Sequence, residues 1–308
     1  MTTMAATPRR LHWRSPAKVN LCLRVVGRRD DGYHLLDSVF VPIDLCDDIT
    51  VTIDGVAPGA ARSITVRCDR DDVPADGANL VARAAGAVLA ECGLGATLRF
   101  DIIKRIPPGT GLGGGSGNAA TVLHGLIDAL ALDVDPARLA ELAVRLGADV
   151  PFFLSGRPAR VRGIGERVEP LAGLDALALV VAIPPVAVST AWAFRTFAAS
   201  GAIPANGDEA ARLAAGAVPS AELLVNDLER VVLPAFPAVA ELKSALRRAG
   251  ATAAVMSGSG SAVAGLAESR AGAERLAAAV RAALPGVQAY AVGTGRPAAT
   301  VDGPAGAA

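Results

Sequence analysis

Apolar and polar residues alternate over 17–26, and apolar, β-branched positions return over 35–45, 49–53 and 63–68. A period of two with β-branched enrichment predicts strands. The first two are parted by Gly27-Arg28-Arg29-Asp30-Asp31-Gly32, a charged turn. Over 79–92 the period changes: Leu80, Ala84, Ala87 and Val88 share a helical face, which Gly93 closes. Over 97–104 Leu98, Phe100 and Ile102 alternate with Arg99, Asp101 and Ile103, a further strand. Asp135-Pro136 opens a helix running to Leu146, with Gly147 at its end. Beyond residue 156 the pattern predicts a buried strand at 177–183 and a short helix at 191–199. Helices follow over 223–232 and 235–249, strands at 253–256 and 262–266, a helix at 271–284 and a strand at 287–292. A strand–strand–helix–strand ending predicts an antiparallel sheet with helices on one face. The expectation is an α+β chain of two lobes, 11–155 and 156–296, the first with a mixed sheet. Disordered tails are expected at 1–10 and 297–308.

A chain of 308 residues, 52% hydrophobic and 19% charged, has ample core material for one large or two modest domains. Its zero formal charge argues against a dedicated nucleic-acid binder. The longest apolar run, 177–185, is too short for a bilayer, and the first ten residues lack a signal-peptide pattern. Cys22, Cys46, Cys68 and Cys92 have no metal-type spacing and read as free thiols in a reducing cytoplasm. Of 30 basic residues only Lys18, Lys104 and Lys243 are lysines. Lysine kept amid so many arginines suggests a use for a compact ammonium, with chance placement as the alternative.

The chemistry concentrates in three segments. Residues 107–120 put six glycines and Ser116 directly before an apolar helix opening. Glycines let backbone N–H groups converge on a ligand, and the helix start adds unpaired donors and a positive dipole end, together an anion site. A flexible linker is the plain alternative, but a linker leads into polar, aperiodic sequence. Neither the P-loop form, which needs a lysine after the last glycine, nor the dinucleotide spacing fits. In Ser15-Pro16-Ala17-Lys18-Val19-Asn20, strand geometry puts Lys18 and Asn20 on one face, either solvated or lining a pocket. Asp149, in Gly147-Ala148-Asp149-Val150-Pro151, follows a helix end and precedes apolar residues, so its carboxylate needs a cation, for which Lys18 is the candidate. A structural ion pair, a cap of the next turn and a proton acceptor for a hydroxyl all remain open. Ser257-Gly258-Ser259-Gly260 is a second small-residue loop, either a hairpin turn or a closure over phosphate.

The run Pro107 to Ala120, with its Gly111-Leu112-Gly113 core, resembles the phosphate-wrapping motif of the GHMP kinases. Ser15 to Asn20, then Asp31-Gly32-Tyr33-His34, Gly147 to Pro151, Val225-Asn226-Asp227 and Ser257 to Gly260 fall in the order of one branch of that family. Its members phosphorylate the C2 hydroxyl of 4-diphosphocytidyl-2-C-methyl-D-erythritol on the non-mevalonate route to isoprenoids. The resemblance spans about residues 15–295. It implies a two-lobed fold in which the first lobe binds ATP and the second completes the substrate site. It implies Asp149 as catalytic base with Lys18 beside it. Tyr33 and His34 are implied as a cytosine clamp, with Asn20, Phe40, Thr190 and Phe194 along the substrate. Asn79, Lys104, Pro107, Gly109, Gly111, Leu112, Gly113, Gly114, Gly115, Ser116 and Asn118 are implied for ATP, with Ser259 and Gly260 closing the site. Mg²⁺ is implied between ATP phosphates, with no metal-ligating side chain assigned. A small-molecule partner, no nucleic acid or membrane, a cytoplasmic monomer or homodimer complete the expectation. Thr110, where glycine is usual, and Gly117, where a second serine is common, depart from the family pattern. The alternatives are another GHMP kinase, of homoserine or mevalonate type, and a non-catalytic metabolite binder of the same fold.

Overall fold

The computed structural model describes residues 8–201 and 207–295. Most of the tail expected at 1–10, and all of that at 297–308, lies outside them. Arg9 and Arg10, assigned to the first tail, instead begin a strand and pair with Ile53 and Thr52.

That strand, β1 (Arg9–Arg28), runs antiparallel to β2 (His34–Pro58) along most of its length. The segments expected as two strands over 35–53 are one, because β2 exchanges partners partway. Leu36–Phe40 pairs with β5 (Ala159–Gly163), and Asp48 onward pairs with β4 (Leu94–Ile103). Parallel β3 (Ser63–Cys68) and antiparallel β6 (Arg167–Pro170) form the edges of this mixed sheet. Residues 159–170 therefore belong to the first sheet, past the lobe boundary expected at 155; an Arg- and Gly-rich stretch hid them from a hydrophobic pattern. Helices α1 (Leu80–Glu91), α2 (Gly114–Ala129), α3 (Pro136–Leu146) and α4 (Val150–Ser155) supply the apolar faces that cover it, among them Val81, Val88, Leu123 and Phe152.

The second sheet, ordered β10 (Gln288–Gly293), β7 (Ala178–Ile183), β9 (Val263–Ala267), β8 (Ala253–Met256), is antiparallel throughout, as expected. Strands β7, β8 and β9 are buried on both faces, so their sequences read as continuous apolar runs. Leu179, Val181 and Ile183 pack with Val19, Leu21 and Val41 of the first sheet. Val180 and Ala182 face the other way, with Leu242 of α8 (Pro237–Arg248) and Leu276 of α9 (Arg270–Ala283). Three shorter helices complete the described part: α5 (Thr190–Ala199), α6 (Glu209–Ala214) and α7 (Glu229–Ala235). The helix expected over 223–232 begins only at Glu229. Before it, Asn226 forms a parallel bridge with Leu23 and its side chain accepts from Leu228 N–H at 2.9 Å. The two sheets thus meet along β1, whose residues Ala17–Leu23 are buried on both faces. Lys18 and Asn20 lie in that seam.

Candidate active site

The loop between β4 and α2 is tied down rather than free. Lys18 N–H donates to Leu112 O at 2.9 Å, Ala262 N–H to Thr110 O at 3.1 Å, and Ser257 Oγ to Gly111 O at 3.0 Å. Gly111 has φ +74°, and a Cβ there would stand 2.0 Å from Ser257 O, so only glycine lets the two small-residue loops meet. Gly113 is the N-cap of α2. The N–H groups of Gly114, Gly115 and Ser116 in the first turn are intrahelically unpaired, and these residues line a pocket. Thr110 turns its hydroxyl back to Pro107 O at 2.8 Å, so this departure stabilises the loop internally. At Gly117 a Cβ would meet Pro16 O at 2.5 Å; β1 occupies the space a serine needs.

Beside the loop, Lys104 Nζ is paired with Asp47 and donates to Asn118 Oδ1 at 3.1 Å, while Asn118 Nδ2 reaches Asp47 Oδ2 and Ser15 Oγ, both at 2.9 Å. Asn79 caps α1, accepting from Val81 N–H at 2.9 Å and donating to Pro74 O at 2.6 Å, on the pocket's rim.

In the seam, Lys18 Nζ donates to Asn20 Oδ1 at 2.6 Å, lies 3.6 Å from Asp149 Oδ2 and sits 4.6 Å from the Phe40 ring centroid. Asn20 is oriented in turn by donating to Ser38 Oγ at 3.1 Å. Lys18 is 3% exposed and Asp149 31%. Burial pushes the Lys18 ammonium below its ordinary range, and the Asp149 charge offsets only part of that. Asp149 occupies the N-cap of α4 without a capping hydrogen bond. The cap alternative thus falls away, and its carboxylate faces open space.

That space is two pockets. One, of about 440 Å³, is walled by Lys18, Asn20, Asn79, Lys104, Ser116, Asn118, the residues Pro107–Gly115 and Ser259. The other, of about 820 Å³, is walled by Arg28, Tyr33, His34, Ile164, Arg195 and their neighbours. Asp149, Leu36, Thr190 and Phe194 belong to both. His34 stacks on Phe194 with centroids 5.2 Å apart and planes at 30°. Tyr33 stands 62% exposed at the mouth. Burial, then the Arg28 charge, holds the His34 imidazolium below its ordinary pKa. Thr190 and Ser259 share a hydroxyl–hydroxyl hydrogen bond of 2.8 Å across the junction. Phe40, expected along the substrate, lies beneath Lys18 on the wall of the first pocket, because β1 and β2 register Asn20 opposite Phe40. Gly260 is in neither wall; its neighbour Gly258 is.

Asp47 and Ser38 escaped the sequence reading, and Ser257 was read only as part of its loop. A carboxylate inside a strand, where acids are depleted, was the available signal for Asp47. Among the described residues no group of three or more His, Cys, Asp or Glu side chains is arranged to hold a metal. Nor is any helix among them long and apolar enough to cross a membrane.

Residues 79–157 match the GHMP kinases N terminal domain and residues 206–286 the GHMP kinases C terminal domain. The 4-diphosphocytidyl-2-C-methyl-D-erythritol kinase of Geobacter metallireducens is 43% identical over 253 residues, 82% of this chain and 88% of that one. Its namesake from Citrifermentans bemidjiense is 43% identical over 88% of this chain and 94% of its own. A crystal structure of a 4-(cytidine 5'-diphospho)-2C-methyl-D-erythritol kinase superposes with TM-score 0.74 at 39% identity, over 92% of this chain and 99% of that one. Homoserine kinase from Cytophaga hutchinsonii shares the fold, with TM-score 0.73 at 18% identity over 98% of this chain and 100% of that one. By sequence, by fold and by the order of its motifs, the chain belongs to the GHMP kinases, within the 4-diphosphocytidyl-2-C-methyl-D-erythritol kinase family.

Proposed function

We propose that this chain transfers the γ-phosphoryl group of ATP to the C2 hydroxyl of 4-diphosphocytidyl-2-C-methyl-D-erythritol. The observation that carries this is Asp149, shared by two pockets and 3.6 Å from the Lys18 ammonium. The pocket with the α2 N-terminus suits a triphosphate, and the one with His34, Phe194 and Tyr33 suits a nucleobase. A tertiary alcohol is a poor nucleophile and needs alignment with the phosphorus and removal of its proton. The Asp149 carboxylate takes the hydroxyl proton as the oxygen bonds to the γ-phosphorus and the bond to ADP breaks. Lys18, held by Asn20, balances the charge gathering between carboxylate and phosphoryl group. Aromatic contacts to the cytosine contribute about 1–3 kcal/mol per base, far from the reacting centre.

Mg²⁺ fits the phosphate side. Ser116 Oγ, on that pocket's wall, has no hydrogen-bond partner among the described residues and is a hard oxygen donor beside the phosphates. When bound, the ion neutralises phosphate charge. A cytoplasmic setting suits the four cysteines, all free.

ADP release by the purified protein, with Mg²⁺·ATP and the cytidylated substrate, homoserine or mevalonate in turn, tests the reading. Turnover with the cytidylated substrate alone is the expected result. Turnover with a control in its place would reassign the chain to another GHMP kinase.

A further inference from the structure

Lys104 and Asn118 wall the phosphate pocket, and the carboxylate that holds them has no part in the chemistry above. Asp47 lies on β2 and is fully buried, which is costly for a carboxylate unless it is paired and hydrogen-bonded. Both its oxygens are engaged. Oδ1 accepts from the backbone N–H groups of Arg105 at 2.8 Å and Ile106 at 2.9 Å. Oδ2 accepts from Asn118 Nδ2 at 2.9 Å and from Lys104 Nζ. These donors flank the phosphate loop: Arg105 and Ile106 lead into it, and Asn118 stands in the first turns of the helix that leaves it. Asp47 therefore ties the two ends of the loop to one strand position.

It also fixes an ammonium. Lys104 Nζ carries three protons. One goes to Asp47 and one to Asn118 Oδ1 at 3.1 Å, with no further acceptor among the described residues. The side chains of Lys104 and Asp47 are 4% and 0% exposed, so neither swings freely, and Lys104 forms part of the phosphate pocket's wall. We infer that Asp47 is the positioning residue of the nucleotide site: it aims the remaining Lys104 N–H into the phosphate pocket and sets the span of the loop. Because the pair is neutral as a whole, Lys104 acts as a directed donor to a phosphate oxygen rather than as a distant attractor. This rests on the kinase reading above.

The test compares D47N, K104M and the D47N/K104M double variant with the wild-type chain. Two quantities are read: the Kd of a fluorescent ATP analogue, which needs no acceptor substrate, and the separate KM values for ATP and the acceptor. D47N is expected to weaken analogue binding and raise KM for ATP about tenfold, with KM for the acceptor within about twofold. The double variant is expected to match K104M alone, since D47N keeps an oxygen for the Arg105 and Ile106 N–H groups and its effect on nucleotide binding runs through Lys104. If D47N does not fold, the double variant, which removes both buried charges together, carries the comparison. Loss of stability in D47N with unchanged ATP affinity overturns the inference, as does a double variant about tenfold weaker than K104M. Unchanged analogue binding in K104M overturns it at Lys104. Tight analogue binding by the wild-type chain without turnover of the acceptor defeats the proposed reaction and leaves the Asp47 assignment intact.

Discussion

On the phosphate side of Asp149, Lys104, Asn118, Asp47 and Ser15 are hydrogen-bonded to one another, and the glycine loop is bonded to β1 and to the loop before β9. On the other side, Tyr33 is largely exposed, and His34 and Phe194 stack on the wall of the second pocket. The first wall is finished before any ligand arrives. A triphosphate needs donors at fixed points, and donors already oriented cost no reorganisation as charge moves. Under the proposed function the second wall is completed by its ligand, with a base beside Phe194 and under Tyr33 as the other face. Such a division lets one scaffold keep its phosphate site while selectivity is set by a few aromatic side chains at the other end.

The largest effect is expected where the two walls meet. Asp149→Asn keeps size and hydrogen bonding but cannot take a proton, so kcat is expected to fall about 10²- to 10⁴-fold, with KM for ATP within about twofold. Steady-state kinetics check this. An unchanged kcat would remove the chemistry from the junction.

Next comes the open wall. Tyr33→Ala is expected to raise KM for the cytidylated substrate about tenfold, the equivalent of about 1–3 kcal/mol of lost stacking. KM for ATP should stay unmoved, the reverse of the pattern set out for Asp47→Asn. If both KM values rise together, the walls are not independent and the comparison fails.

How much of this was legible follows from what each feature depends on. The strand at 63–68 and the helix at 136–146 were found at their observed bounds, because period, an Asp135 cap and Gly147 are local signals. Lys18, Asp149 and the glycine loop were legible through the order of motifs. Their spacing alone left open whether Lys18 faced solvent and whether Asp149 capped a turn. The position of Phe40 and the role of Asp47 were not legible, since they follow from register. Only once Asn20 is opposite Phe40, and Asp48 opposite Ile103, do a strand carboxylate and the phosphate loop become neighbours. The segment 223–228 misled for a related reason: Asn226 spends its amide on Met256 O and Gly258 O, both at 2.7 Å, a tertiary use that helical spacing does not reveal.

Gly117→Ser gives a moderate effect and sharpens the claim that the phosphate wall is already full. The new Cβ would press on Pro16 O, and overpacking of this kind costs about 1–3 kcal/mol. A lowered thermal midpoint with no gain in ATP affinity is expected. A serine that tightens ATP binding at no cost in stability would show that the wall has room to spare.

The smallest effect concerns Lys18, the cation beside Asp149, which belongs to the closed wall by burial. Its folded-state pKa is lowered, chiefly by desolvation, from an unfolded value near 10.5. Between those two values the unfolded chain binds more protons than the folded one, so stability rises with pH across that window. The gain is complete above about 10.5 and is lost as pH falls through the folded pKa. Lys18→Met lacks the titration, and groups common to both chains cancel in the difference. The stability of the wild-type chain relative to Lys18→Met should therefore climb as pH is raised toward about 10, measured as the gap between their denaturation midpoints. A gap that does not move with pH would mean that Lys18 is as well solvated in the seam as in water. The closed wall would then end before it reaches Asp149.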